Sequence, residues 1–286
     1  MMKKITSLLI FLIIPASAIF SQGTNFNPEK NKYFFVGGNV LLLNTRIVNN
    51  GSESITPLNV SAAKSPGSSF EAGYQFSKWF SLSSGVGYSS LMTNLSLETY
   101  SYSYDTVDSE KQTYNRIIDG TTMEETQRIS FLNIPLLINF QVSVKSKFGL
   151  YLQSGMNFSI PVKTTYLSSG IFSYSGFYPA YNVLITDIPY EDIKSNVKVE
   201  KEGNLKVKNI CPELITSAGL WFVIRNKLHF SLGCNYNRML TDISDYPAVS
   251  NFRLSTRTDH IRSFMEGSEK ISASSVGIKI SVRYIL

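Results

Sequence analysis

Cysteine and histidine are almost missing from this sequence: its 286 residues hold two of each. No His/Cys grouping has zinc spacing, no acidic loop repeats the calcium pattern, and no glycine-rich phosphate loop is present. The residues therefore imply no metal and no cofactor. Cys211 and Cys234 are expected to stay free. If residues 225–227 form a tight turn between two strands, Cys234 pairs near residue 218, about seven positions from Cys211. That is over ~20 Å along a strand, whereas disulfide-bridged Cα atoms lie within ~7 Å. Alanine is scarce, and past the N-terminus no run approaches the ~18 consecutive apolar residues of a membrane helix. The formal charge is +6, but the basic residues are scattered, which gives no argument for a nucleic-acid partner.

The N-terminus reads as an export signal. Lys3 and Lys4 precede the apolar run Ile5–Ile14, Pro15 breaks it, and Ala16-Ser17-Ala18 supplies small residues for cleavage. The expected division is a signal peptide at 1–22, a short periplasmic segment at 23–32 and one β domain at 33–286.

The remainder is rich in β formers, with 16 Tyr, 18 Phe and 18 Gly. Eight segments alternate with a period of two: 33–43, 68–76, 79–91, 127–142, 147–160, 213–225, 227–239 and 271–286. In the third, Phe80, Leu82, Val86 and Tyr88 share one face, and Ser81, Ser83, Gly85, Gly87 and Ser89 the other. The last sets Val276, Ile278, Ile280, Val282 and Tyr284 against Gly277, Lys279, Ser281 and Arg283. An apolar face on every strand needs a greasy partner, which lipid supplies, while the small and polar face lines a narrow interior. The links alternate long (44–67, 92–126, 161–212, 240–270) and short (77–78, 143–146, 226), as when hairpins are stitched through a membrane. Phe76, Phe80, Phe140, Phe148 and Tyr284 gather near the short turns, where an aromatic girdle belongs. The expected fold is all-β: an eight-stranded antiparallel transmembrane barrel with short periplasmic turns, long extracellular loops and both termini periplasmic, its immediate partner outer-membrane lipid. Pro135 removes a ladder donor and is expected to mark a bulge in the fourth strand.

Several features together resemble the PorT-like outer-membrane β-barrel family of bacterial envelope proteins. They are the export signal, the stretch Phe131-Leu132-Asn133-Ile134-Pro135-Leu136-Leu137, the glycine-rich strands after it, and the closing Gly277-Ile278-Lys279-Ile280-Ser281-Val282-Arg283-Tyr284. The resemblance implies an outer-membrane barrel. Some such proteins are linked to secretion or gliding, so an envelope protein is an implied partner. It supplies no catalytic residues. The terminal aromatic usual in such barrels is here Leu286, with Tyr284 two residues earlier.

Candidate functional residues fall in two groups. Glu71, Glu213, Lys279 and Arg283 lie on the lumen face by parity and are expected to pair or reach water, with Glu71 and Lys279 the preferred pair. The long loops carry tyrosines, among them Tyr102, Tyr104, Tyr174 and Tyr178. Tyrosine with serine and glycine is the composition of adaptable binding surfaces, and equally of strands that rise above the membrane and pack on one another. The chain is read as a structural or partner-binding surface protein without enzymatic activity. The alternatives are a rim hydrolase centred on His260, beside Asp259, and a narrow channel.

Overall fold

The structure, a computed structural model, describes residues 32–51, 58–145, 147–225, 227–247 and 252–286. The expected signal at 1–22 and residues 23–31 lie outside the described residues.

In chain order the strands are β1 (Tyr33–Gly51), β2 (Asn59–Gln75), β3 (Phe80–Val107), β4 (Thr113–Lys145), β5 (Phe148–Tyr178), β6 (Val183–Ile185), β7 (Val197–Gly203), β8 (Cys211–Arg225), β9 (Leu228–Met239), β10 (Ser255–Arg257), β11 (His260–Ile261) and β12 (Ser268–Ile285). Eight of them close a ring, β1-β2-β3-β4-β5-β8-β9-β12, in which every neighbouring pair is antiparallel. Closure is direct: β1 lies on β12 with Phe35 opposite Ile285 and Val40 opposite Ile280. The fold is an eight-stranded antiparallel transmembrane barrel. Closure is what lipid demands, because an open sheet edge would leave backbone groups unpaired in hydrocarbon.

The period of two sets the wall. Val40, Leu42, Phe70, Leu136, Leu150, Val276 and Ile278 all point outward and are exposed. Each such side chain gains ~1.5–3 kcal/mol when lipid replaces water. Their inward neighbours Asn39, Glu71, Gln153, Ser275 and Lys279 are buried. At the short-turn end an aromatic chain runs Phe34–Tyr74–Phe76–Phe80–Phe140, with ring centroids 4.7 Å apart at Phe34–Tyr74 and 5.5 Å at Phe80–Phe140. Cys234 pairs with Ala218, and both it and Cys211 are free thiols.

Two expectations require correction. The stretches 44–67 and 92–126 are mostly strand, so that β3 and β4 meet through only residues 108–112. Above the apolar belt the alternation persists but inverts. Leu95, Leu97, Met123 and Ile129 point inward, while Glu124 and Arg128 face solvent. Water outside and an apolar filling inside reverse the pattern that lipid imposes lower down, which made these strands resemble loops. The bulge expected at Pro135 is also displaced. Pro135 pairs in register with Asn157 of β5, while toward β3 the ladder merely lacks the pairs at Gly85 and Val86. Having no N–H, Pro135 leaves that seam one donor short, and Ser84 Oγ donates to its carbonyl at 2.8 Å. The bulge sits in β5, where Ser130–Phe131 of β4 oppose Lys163 and Pro161 and Val162 is skipped. That extra residue flips the inward phase of β5 from Gln153, Asn157 and Ser159 to Tyr166, Ser168, Phe172 and Tyr174.

Candidate functional site

The interior holds two stacked fillings of opposite chemistry. At membrane level it is a polar network. Arg283 Nη2 lies 3.0 Å from Glu71 Oε1 and donates to Asn139 Oδ1 at 3.0 Å. Asn39 Nδ2 donates to Glu71 Oε2 at 3.1 Å, and Asn139 Nδ2 to Ser83 Oγ at 3.0 Å. Gln153 joins the chain through Asn139, and Lys279 Nζ donates to Gln153 Oε1. The preferred pair, Glu71 with Lys279, is therefore corrected. Register explains the choice: Gly37 of β1 is opposite Glu71 on one side and opposite Arg283 on the other. A Cβ at Gly37 would lie 3.0 Å from Arg283 Cγ, so the glycine clears the path of the guanidinium to Glu71. Lys279 stands opposite Leu41 and reaches across the lumen instead. Higher up, Glu213 accepts from Asn157 Nδ2 at 2.8 Å and belongs to no ion pair among the described residues. Between the levels lies a cavity of about 70 Å³, lined by Asn39, Ser69, Asn133, Asn157, Glu213 and Lys279 among others. It leaves room for a few waters, in keeping with the narrow interior of an eight-stranded barrel.

The upper filling was not legible in the sequence. Residues 252–267, ahead of β12, fold back into the barrel mouth, where Phe252, Leu254, Ile261, Phe264 and Met265 are wholly buried. Phe252, Leu254, Ile261 and Phe264 pack with Leu95, Leu97, Tyr100, Ile118, Met123, Phe172 and Tyr174 as one apolar plug, and Met265 belongs to a second cluster with Ile129, Phe131 and Tyr166. Glu125, on the inward face of β4, fastens this plug. Its carboxylate accepts from Ser263 Oγ at 2.8 Å, Phe264 N at 2.9 Å, Gln127 Nε2 at 2.5 Å and Ser168 Oγ. Ser263 also caps the 3₁₀ turn Phe264–Gly267 by accepting from Met265 N at 3.2 Å. Burial, the largest influence, pushes the Glu125 carboxyl up, and its four donors oppose that shift.

The loop tyrosines divide. Tyr174 is wholly buried under the plug, its hydroxyl 2.7 Å from Ser255 Oγ and 2.8 Å from the Arg257 carbonyl oxygen. Burial pushes its phenol up to about 12, which keeps the proton available to that carbonyl. Tyr178 stacks on Tyr114 at 5.0 Å and donates to Asp108 Oδ2 at 3.1 Å. Tyr102 and Tyr104 are half-buried and sit under Arg253, whose guanidinium carbon is 3.9 Å from the Tyr104 ring centre. A pocket of about 270 Å³ at the tip is lined by Asp108, Glu110, Tyr178, Tyr181, Tyr190 and Glu191. The Asp108 carboxylate is already engaged there by the backbone N–H groups of Glu110 and Gln112. His260 lies in β11 with no ring hydrogen bond among the described residues, and neighbouring Asp259 faces Arg257 at 3.5 Å. Among the described residues no group of three or more His, Cys, Asp or Glu is placed to hold a metal ion.

Fold and interior together define a membrane barrel filled by a polar network at one level and an apolar cluster at another. No protein-family model matches the chain, and no curated protein matches it. Among solved structures it is similar to Neisserial surface protein A at 11% identity, covering 88% of this chain and 97% of that one with a TM-score of 0.35. OprG from Pseudomonas aeruginosa gives 12% identity, 90% and 96% coverage and 0.35. Ail, the attachment invasion locus protein of Yersinia pestis, gives 11%, 88% and 99%, and 0.29. Likenesses at TM-scores this low carry no argument, and the barrel assignment rests on the strand ring itself.

Proposed function

We propose that this chain is an outer-membrane surface protein in which the barrel is a sealed anchor and the strands rising above the membrane present a rigid surface to a protein partner. The short-turn end, with both chain ends, faces the periplasm in this reading. The observation that carries it is the double filling of the lumen. A hydrogen-bonded charge network and an apolar plug both lie across the path a solute would take, whereas β3, β4 and β5 continue well beyond the belt as an ordered sheet. Non-enzymatic action fits the surroundings of His260, whose ring is hydrogen-bonded to no serine or carboxylate among the described residues. The likeness to PorT-like barrels points to a component of a secretion or other envelope machine as the partner. Extraction of the native protein in mild detergent tests this: migration inside a larger assembly with defined co-purifying polypeptides is expected, and migration as a lone barrel overturns the machine reading.

A further inference from the structure

A closed barrel has no edges, but among the described residues this one is not paired all round over its full height. β2 pairs with β3 only up to Asn59 opposite Ser96. Beyond that level β3 continues from residue 97 to 107, paired with β4 on one side and, among the described residues, with no strand on the other. Its inner face is covered, because Leu97 and Tyr100 pack into the plug and Tyr100 Oη accepts from Leu254 N at 3.1 Å. Its outer face is open, with Ser101, Ser103 and Asp105 exposed. Among the described residues this leaves a lateral row of backbone groups without a strand partner, in which alternate residues of an antiparallel strand aim N–H and C=O away from the partner they have. At ~3.3 Å per residue the row runs more than 30 Å.

Natural proteins blunt such edges with lysine, proline or a covering segment. The opposite border of the raised sheet does so: β7, which lies on β5, exposes Lys198 and Lys201. β3 holds no lysine, arginine or proline from 80 to 107, and its two charges are both negative, Glu98 and Asp105. Both are exposed, at the two ends of the free edge.

We infer that the free edge of β3 from 97 to 107 is a docking site for an extended polypeptide segment bearing basic side chains, which adds to the sheet as one more strand. This rests on the surface-partner reading above. A second copy in the same membrane does not fit the edge. Two copies sharing a membrane are related by an axis along its normal, and strands tilted by ~35–45° then cross at roughly twice that angle. Neither a parallel nor an antiparallel ladder forms at such a crossing. The occupant is a segment of another polypeptide that is free to align with the strand, and its basic side chains meet Glu98 and Asp105 while main-chain hydrogen bonds supply the ladder.

The test takes the full mature chain in lipid nanodiscs and selects binders from a random twelve-residue peptide display library. The selected peptides are expected to be enriched in Lys or Arg, and to slow hydrogen exchange at alternate amides of 97–107. They should also lose about tenfold in affinity for the Glu98→Lys/Asp105→Lys variant. Both substitutions are at exposed positions, and unchanged exchange across β4 and β5 verifies that the variant is folded. Failure to select any peptide, or selection of peptides that protect amides elsewhere and bind the variant equally well, overturns the edge site. Either outcome leaves the surface-partner reading to be decided by native extraction.

Discussion

Glu125 offers the sharpest handle on the upper seal. In Glu125→Ala four donors lose their common acceptor. The hydroxyls of Ser168 and Ser263 can rotate, and Ser263 keeps its contact with Met265 N. The Gln127 amide and the Phe264 backbone N–H cannot, and an orphaned buried donor costs ~1–3 kcal/mol each. Relief from burying a carboxylate with no cation partner offsets part of this loss. A net destabilisation of about 3 kcal/mol follows, and it is local, because the bonds tie the plug to β4 and leave the ring ladder untouched. At ~1.36 kcal/mol per factor of ten, opening of 252–267 becomes on the order of a hundredfold more frequent. Hydrogen exchange by mass spectrometry on the barrel in detergent measures it. Amides of 252–267 should exchange faster by about that factor, while those of β1, β8 and β9 keep their protection. Unchanged exchange in the plug, or equal acceleration throughout the barrel, refutes the tether.

Two further outcomes follow from the same contacts. A carboxyl raised in the folded state binds more protons folded than unfolded across that window, so Glu125 protonation favours the closed plug. Plug protection is full below the unfolded value of ~4.3 and falls as pH rises through the elevated one, and Glu125→Gln should flatten this profile in pH-dependent exchange. In the lower seal, Arg283→Met leaves Glu71 buried without its cation, at about 3 kcal/mol or more. The barrel should then unfold at a lower temperature in heat-modifiability gels, with Glu71→Leu/Arg283→Met recovering most of the loss; equal stability of Arg283→Met and the natural protein would show the pair to be inert.

The barrel was legible at membrane level because lipid enforces one rule on every strand, as in β3, where Leu82, Val86 and Tyr88 alternate with serine and glycine. Parity likewise put Glu71, Lys279 and Arg283 in the lumen. It did not choose their partners, because that depends on rows running across strands, and Gly37 decides the row that joins Glu71 to Arg283. Above the belt the signal inverted, and the Val162 bulge shifted its phase in β5. Glu125 was within reach of sequence reasoning, since it alternates in step with Met123, Gln127 and Ile129, all inward. The plug was not. Phe252, Leu254, Ile261, Phe264 and Met265 show no period, and their burial depends on walls supplied by residues more than a hundred positions earlier in the chain, such as Leu95 and Met123.

Single-channel recording in planar bilayers tests the sealed anchor most directly. The purified barrel, inserted and shown to be folded by its heat-modifiability, should give no stable conductance steps at either polarity. Discrete, reproducible steps from the natural protein, abolished when it is heat-denatured before insertion, would contradict a lumen closed by both the Glu71–Arg283 network and the plug.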